Sequence, residues 1–136
     1  MNKKILLLLF TIFVISVMLI SCKKFDTTAT NVSNTGDYTS IDPILGQDYQ
    51  LTVKLEANAI QIGISSGGNP VGDSEIIDKL YQENGSSNYS FQNGIISGNF
   101  SILSANQIKI SFVRNTPPYL NVRDIICTSG NNANNP

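Results

Sequence analysis

The stretch Tyr89–Val113, YSFQNGIISGNFSILSANQIKISFV, decides the fold because apolar and polar residues alternate along it. A period of two is typical of strands that bury one face. Asn93-Gly94 indicates a tight hairpin turn, since both residues accept a positive φ. Ser104 to Asn106 indicates a second turn of three residues, with Asn106 in the left-handed conformation. The stretch therefore predicts a three-stranded antiparallel meander with one apolar face.

The two turns also predict how the three strands align. The first turn places Phe91 opposite Ile96 and Tyr89 opposite Gly98. The second turn gives three pairs: Ile102 with Ile108, Phe100 with Ile110, and Gly98 with Phe112. A slip of one residue would turn each apolar set towards water, so the alignment is well specified. We expect one buried face made of Phe91, Phe100, Ile102, Ile108, Ile110 and Phe112.

Another hairpin and a last strand flank this meander. Residues 49–55 and 60–64 alternate in the same way and predict a hairpin that closes at Ala57-Asn58. The expected pairs are Leu55 with Ile60, Val53 with Ile62, and Leu51 with Ile64. Tyr49 and Tyr89 fall on the apolar faces, so we expect both to pack in the core. Residues 115–119 interrupt pairing, because proline cannot donate to a ladder, and a last strand is expected from Tyr119 to Cys127.

The segment from Asp73 to Gly85 follows a loop at residues 65–72 and has helical spacing. Its apolar residues are Ile76, Ile77, Leu80 and Tyr81. Ser74 can cap the start of a helix and Asn84-Gly85 can end it. We predict a short helix over residues 74–83, with a strand of the same sheet as the alternative. Acids near a helix start are favoured by its dipole, so we interpret Asp73, Glu75 and Asp78 as structural.

These elements predict an all-β domain over residues 40–127. The fold class is a small antiparallel β-sandwich or an up-and-down barrel of six to eight strands, built from sequential hairpins, with one short helix. The stretch from Phe91 to Phe112 resembles the repeated hairpins of small lipocalin-like lipoprotein domains in Bacteroidota. That resemblance implies a carrier of a small apolar ligand as one possible function.

The beginning of the chain resembles a bacterial lipoprotein signal. Lys3 and Lys4 precede residues 5–20, a stretch of sixteen residues that are all apolar except Thr11 and Ser16. This run is short for a membrane-spanning helix, which needs about 20 apolar residues, and suits a secretory signal. Leu19-Ile20-Ser21-Cys22 is similar to the lipobox of bacterial lipoproteins. The resemblance implies cleavage before Cys22 and lipid on its sulfur and amine, with a disulfide or buried Cys22 as the alternative.

The expected mature protein has one domain between two polar segments. Residues 1–21 form the signal peptide, 22–39 a lipidated flexible tether, and 128–136 a disordered polar tail. Removing 21 of 136 residues leaves seven basic and ten acidic residues, a net charge of −3. Without a basic stripe, nucleic-acid binding has no support. Asp26-Thr27-Thr28 resembles the O-glycosylation sequon of Bacteroidota, which makes Thr27 a candidate site.

The composition excludes several kinds of catalytic site. The chain has no histidine, so Ser-His-Asp triads and histidine-based zinc sites are excluded. Calcium held by Asn69, Asp73 and Glu75 is conceivable, but these residues lack EF-hand spacing. We therefore predict no cofactor, no metal and no enzymatic activity. Cys127, the second of two cysteines, is expected to be an inert, partly buried thiol rather than a link between subunits.

The function predicted from the sequence is a non-enzymatic binding or assembly role for an envelope lipoprotein. Its partners would be the membrane, through lipid on Cys22, and another envelope protein or a surface polymer. Lys23 follows the lipidated cysteine and resembles the sorting class that is not retained in the inner membrane. The expected location is the outer membrane, facing the periplasm, with display on the cell surface as the alternative. A lipocalin-like carrier is the alternative function.

Overall fold

The computed structural model describes residues 31–46 and 48–130. This part of the chain contains ten strands and no helix, and all paired strands are antiparallel. The strands are β1 Gly36–Ser40, β2 Tyr49–Leu55, β3 Ile60–Ser66, β4 Asn69–Pro70, β5 Glu75–Ile77, β6 Leu80–Gln82, β7 Asn88–Gln92, β8 Ile96–Ser104, β9 Gln107–Arg114 and β10 Leu120–Thr128. The all-β prediction is confirmed, with slightly more strands than expected because β4, β5 and β6 are very short.

The strands form one sheet that curls back towards itself. Its order is β4-β3-β2-β1-β10-β9-β8-β7-β6, and β5 also pairs with β3. Only Asp78 and Lys79 separate β5 from β6. Residues 75–82, which we call the closing segment, thus pair with β3 through β5 and with β7 through β6. The closing segment joins the two ends of the sheet, and the order of strands is that of an up-and-down barrel.

The helix expected over residues 74–83 is wrong, because this stretch is the closing segment. Ile77 and Leu80 are buried, whereas Ile76 is 58% exposed, so the apolar residues do not share one helical face. A helix here would leave backbone groups of β3 and β7 without partners at open sheet edges. Pairing with β3 and β7 outweighs the helical preference that the local spacing of apolar residues indicates. Asn84 and Gly85 have φ of 42° and 68° and form the β6–β7 turn rather than a helix end.

The alignment of the hairpins is confirmed in two of three cases. The β2–β3 pairs and the β8–β9 pairs are those expected from the sequence, although Asn106 does not have a positive φ. The β7–β8 hairpin is shifted by two residues, so that Phe91 pairs with Gly98 and Tyr89 with Phe100. Asn93 explains the longer turn, since its side-chain oxygen accepts hydrogen bonds from the backbone N–H groups of Ile95 and Ile96, at 2.8 and 2.7 Å.

A shift of two residues keeps every side chain on the same face, so the predicted buried face survives. Phe91, Phe100, Ile108, Ile110 and Phe112 are buried, and Ile102 packs against them. Tyr89 is buried and stacks on Phe100 with ring centroids 4.9 Å apart. Tyr49 is an exception to the expectation of core packing. It is 38% exposed because it begins β2 at the edge of the core.

Both ends of the described chain lie at one end of the curled sheet, which we call the near end. Its loops are residues 56–59, 83–87 and 105–106. The Val32 N–H donates to the Ala57 carbonyl at 2.6 Å, and the Ser129 N–H donates to the Asn106 carbonyl at 2.9 Å. Val32 is buried and β1 begins at Gly36. The folded part therefore starts several residues before the boundary expected at residue 40.

Candidate binding groove on the outer face

A hollow of about 410 Å³ lies on the outer face of the sheet. We call it the outer groove. It spans strands β6 to β10, and its position follows from the alternation of the strands. Tyr89, Phe91, Phe100 and Ile110 point into the core, so the residues between them point outwards. The outward side chains that form the groove are Tyr81, Asn88, Ser90, Asn99, Ser101, Lys109 and Asp124.

The floor of the outer groove consists of two rows of side chains that cross the strands. In one row Tyr81 pairs with Ser90, and Ser90 pairs with Asn99. In the other row Asn88 pairs with Ser101, and Ser101 pairs with Lys109. Direct cross-strand neighbours on one face lie about 5 Å apart. The rows therefore form a continuous strip of hydroxyl and amide groups next to the Tyr81 ring.

One hydrogen bond joins two of these side chains. The Ser101 hydroxyl donates to Asn88 Oδ1 at 2.7 Å. Outside the strip, at the position that pairs with the inward-facing Tyr89, Gln82 Nε2 donates to the Ser86 carbonyl at 2.7 Å and to the Tyr89 hydroxyl at 3.2 Å. Short side chains that are already hydrogen-bonded lose little rotamer freedom when a ligand binds. The strip is thus partly ordered before any ligand arrives.

A β-bulge brings Asp124 to the other edge of the outer groove. The β9–β10 alignment shifts between Val122 and Ile125, and Asp124 has a φ of 50°. Its backbone N–H donates to the Ser111 hydroxyl at 2.8 Å. Its carboxylate lies 3.9 Å from Lys109 Nζ. Bulges commonly re-aim a side chain, and here the bulge places an acid and a base side by side.

A second polar feature lies at the far end of the sheet, opposite the near end. Arg114 follows the buried Ile110 and Phe112 in alternation, and Glu75 precedes the buried Ile77 in the same way. The Arg114 guanidinium is 3.1 Å from Glu75 Oε1, and both side chains are mostly buried. This ion pair connects β9 to β5 across the sheet. Glu75 therefore has a structural partner.

The structure does not gather the acidic residues singled out in the sequence. Within residues 31–46 and 48–130, no group of three or more His, Cys, Asp or Glu side chains could hold a metal ion. Asp73, Glu75 and Asp78 form no such group. Of the calcium candidates, Asn69 pairs with Ser66 and Glu75 with Ile62, so they lie at different positions along β3. Cys22 and Thr27 lie outside the described residues.

Cys127 is fully buried, as a free thiol, near the end of β10. Burial disfavours the thiolate and raises the pKa of Cys127 from 9.0 to about 12. A thiol that stays protonated is a poor nucleophile and a poor metal ligand. This agrees with the interpretation of Cys127 as an inert thiol. Burial likewise raises the pKa of Tyr38, which packs in the same core.

The inward positions of the curled sheet carry buried side chains. The largest that are fully buried include Tyr38, Phe91, Phe100, Leu51, Leu55 and Ile60. The outer groove, by contrast, is formed by outward-facing residues. The sequence reasoning missed it because no local pattern marks it. The signal is a series of small polar residues at alternate positions of two neighbouring strands, β7 and β8, which becomes meaningful once their alignment is known.

Comparisons with protein-family models, with curated proteins and with solved structures found no match. Within the part of the chain that the structure describes, no helix has the length and apolar character needed to span a membrane.

Proposed function

We propose that this chain is a membrane-anchored envelope lipoprotein with a non-enzymatic binding or assembly role. The observation that carries the binding role is the outer groove, a hollow of about 410 Å³ lined by hydroxyl, amide and aromatic side chains. Specific ligand sites are concave and present a few well-placed polar groups. The groove has both properties. Its only basic side chain, Lys109, lies beside the acidic Asp124.

The anchor is Cys22, which we propose carries a diacylglyceryl group. Stable membrane attachment generally needs two lipid chains, and this group supplies both. The Cys22→Ser variant should lose the lipid mass and leave the membrane fraction. Recovery of the variant in membranes with an unchanged mass would contradict the lipid anchor. Thr27 is the proposed O-glycosylation site, and Thr27→Ala should lower the intact mass by one glycan.

The anchored protein is proposed to face the periplasm from the outer membrane. Protease added to intact cells should leave it uncut, whereas protease added to permeabilised cells should release the domain. Release from intact cells would favour display on the cell surface.

The alternative is a lipocalin-like carrier of a small apolar ligand. A carrier needs a cavity inside the sheet, and inward-facing aromatic and aliphatic side chains occupy the described interior. Binding at the outer face is therefore the better-supported proposal.

Site-specific photo-crosslinking in native membranes tests the binding role. A photoreactive residue at Asn99 lies in the outer groove, and one at Lys54 lies on the outward face of β2. We expect a discrete adduct from the Asn99 position and none of that mass from the Lys54 position. The same adduct pattern from both positions, or no adduct from either, would contradict binding at the groove.

A further inference from the structure

We infer that the outer groove binds an uncharged saccharide chain. This inference rests on the proposed binding role and adds the chemical class of the ligand. It follows from three features of the groove, namely the strands that form its floor, the chemistry of its side chains and its charge.

The three middle strands beneath the groove leave their backbone unavailable for recognition. β7, β8 and β9 each pair with a strand on both sides. An added peptide strand needs an exposed sheet edge with free N–H and C=O groups, and these strands offer none. Over these three strands a ligand is therefore recognised by outward side chains.

Those side chains suit a ligand that is rich in hydroxyl groups. Ser90 and Ser101 both donate and accept, and the amides of Asn88 and Asn99 present a donor and an acceptor each. A sugar hydroxyl also donates and accepts, so every position along a saccharide can be matched. Tyr81 adds an aromatic surface for the apolar face of a sugar ring.

The charge of the groove argues against an anionic polymer. Two acids, Glu83 and Asp124, and one base, Lys109, line it. Lys109 is already close to Asp124, at 3.9 Å. Phosphate and carboxylate polymers are bound by clusters of free basic groups, which this groove does not present. An uncharged chain avoids repulsion from Glu83 and Asp124.

The bulge at Asp124 is the independent observation that points to a ligand. A non-glycine residue with a positive φ carries a conformational cost, and such residues cluster at functional sites. Here the positive φ of Asp124 places its carboxylate, a hydrogen-bond acceptor, at the edge of the strip opposite Tyr81. From β6 to β9 the strip crosses four strands, which corresponds to roughly 14 Å at the normal strand spacing. A chain of several sugar units, rather than one, would fill it.

Binding of the full-length protein in detergent to an array of defined neutral, amino-bearing and acidic oligosaccharides tests the inference. We expect neutral oligosaccharides to bind best, and Tyr81→Ala and Asn99→Ala each to weaken binding about tenfold, as expected when one well-placed contact is lost. Lys109→Ala and Lys54→Ala form a matched pair, since both lysines are exposed and contact an acid on the outer face. Only Lys109→Ala should weaken binding.

The possible outcomes separate this inference from the proposed binding role. A preference for acidic or amino-bearing oligosaccharides, or neutral binding that the groove variants leave unchanged, would overturn the inference. Absence of saccharide binding together with a protein adduct at Asn99 would also overturn it, while leaving the binding role intact. Circular dichroism of each variant shows whether the fold is retained, and Ser90→Ala is a second, milder variant if Asn99→Ala does not fold.

Discussion

Gly98 is the third residue of β8, where it pairs with Phe91 on one side and Phe112 on the other. A Cβ atom at this position would lie 2.6 Å from the Cβ and 2.8 Å from the Cα of Phe112, and would also meet the Ser111 carbonyl oxygen. Because these contacts involve backbone of the neighbouring strand, rotation of a side chain cannot relieve them. The absence of a side chain at Gly98 is thus required for β8 and β9 to pack.

We expect Gly98→Ala to lower the free energy of unfolding by about 3 kcal/mol, the upper part of the usual range for overpacking. Chemical denaturation of the full chain in detergent measures this change. Gly94→Ala is the matched control, since a Cβ at Gly94 meets no atom within 4 Å. A similar loss of stability in both variants would contradict the steric explanation.

Cys127 provides a prediction about reactivity at the same scale. Its pKa of about 12 keeps the thiol protonated at pH 8, and burial blocks access to reagents. Folded protein should therefore show no rapid reaction with a thiol reagent, and protein in denaturant should show one reactive thiol. Two thiols in denaturant would contradict lipid on Cys22, and fast reaction of folded Cys22→Ser protein would contradict burial of Cys127.

The pH dependence that Cys127 contributes follows from the direction of its pKa shift. The unfolded thiol loses its proton near its ordinary pKa of 9.0, while the folded thiol keeps it until about pH 12. The unfolded state therefore binds fewer protons in this window. The contribution of Cys127 to stability is fully present below pH 9 and is lost as pH rises towards 12.

The Glu75–Arg114 ion pair acts at the scale of elements, because it connects the closing segment to β9. Glu75→Gln removes one charge and leaves the mostly buried Arg114 without its partner, which we expect to cost about 1–2 kcal/mol of stability. Glu56→Gln is the matched control. Glu56 and Lys54 are also 3.1 Å apart, but about half of each side chain is exposed, so we expect a clearly smaller loss of stability.

Chemical denaturation of both variants measures the difference, and a double-mutant cycle with Arg114→Met isolates the pair. Equal costs for Glu75→Gln and Glu56→Gln would show that the Glu75–Arg114 pair does not stabilise the closing segment.

The hairpins were predictable from the sequence because each depends on neighbouring residues. Alternation and turn residues placed β2–β3 and β8–β9 correctly. The helix expected over residues 74–83 failed because the closing segment is held by β3 and β7, which lie far from each other along the chain. β1 was assigned to the tether because its sequence, GDYTS, has one apolar side chain, Tyr38. Its burial depends on pairing with β2 and β10.

The outer groove could not be predicted for a related reason. Tyr81, Asn99 and Lys109 come from three strands, and only the alignment of those strands makes them neighbours. Asp124 lies beside them because of a bulge, and no residue pattern in β10 indicates that bulge. The fold class could therefore be predicted from the sequence, whereas the candidate site depends on how strands across half the sheet align.

At the scale of the whole molecule, the filled interior predicts that the protein carries no apolar ligand inside the sheet. Tyr38, Phe91 and Phe100 are fully buried at the centre of the sheet. Protein interiors pack to the density of organic crystals, so an apolar ligand could enter only if these side chains moved aside. The protein purified from membranes should therefore contain no stoichiometric apolar ligand apart from its covalent lipid.

Two mass measurements on the same preparation distinguish a covalent lipid from a carried ligand. The mass under denaturing conditions includes the covalent lipid on Cys22. The mass under native conditions also includes any noncovalently bound molecule. We expect the two masses to agree once bound detergent is removed. Phe100→Ala is the positive control, since deleting a buried aromatic ring leaves a cavity, and a dry apolar cavity can bind benzene. A constant mass difference in the wild-type protein, extractable into organic solvent, would instead identify a carrier, because a ligand present in every molecule must occupy a defined internal site.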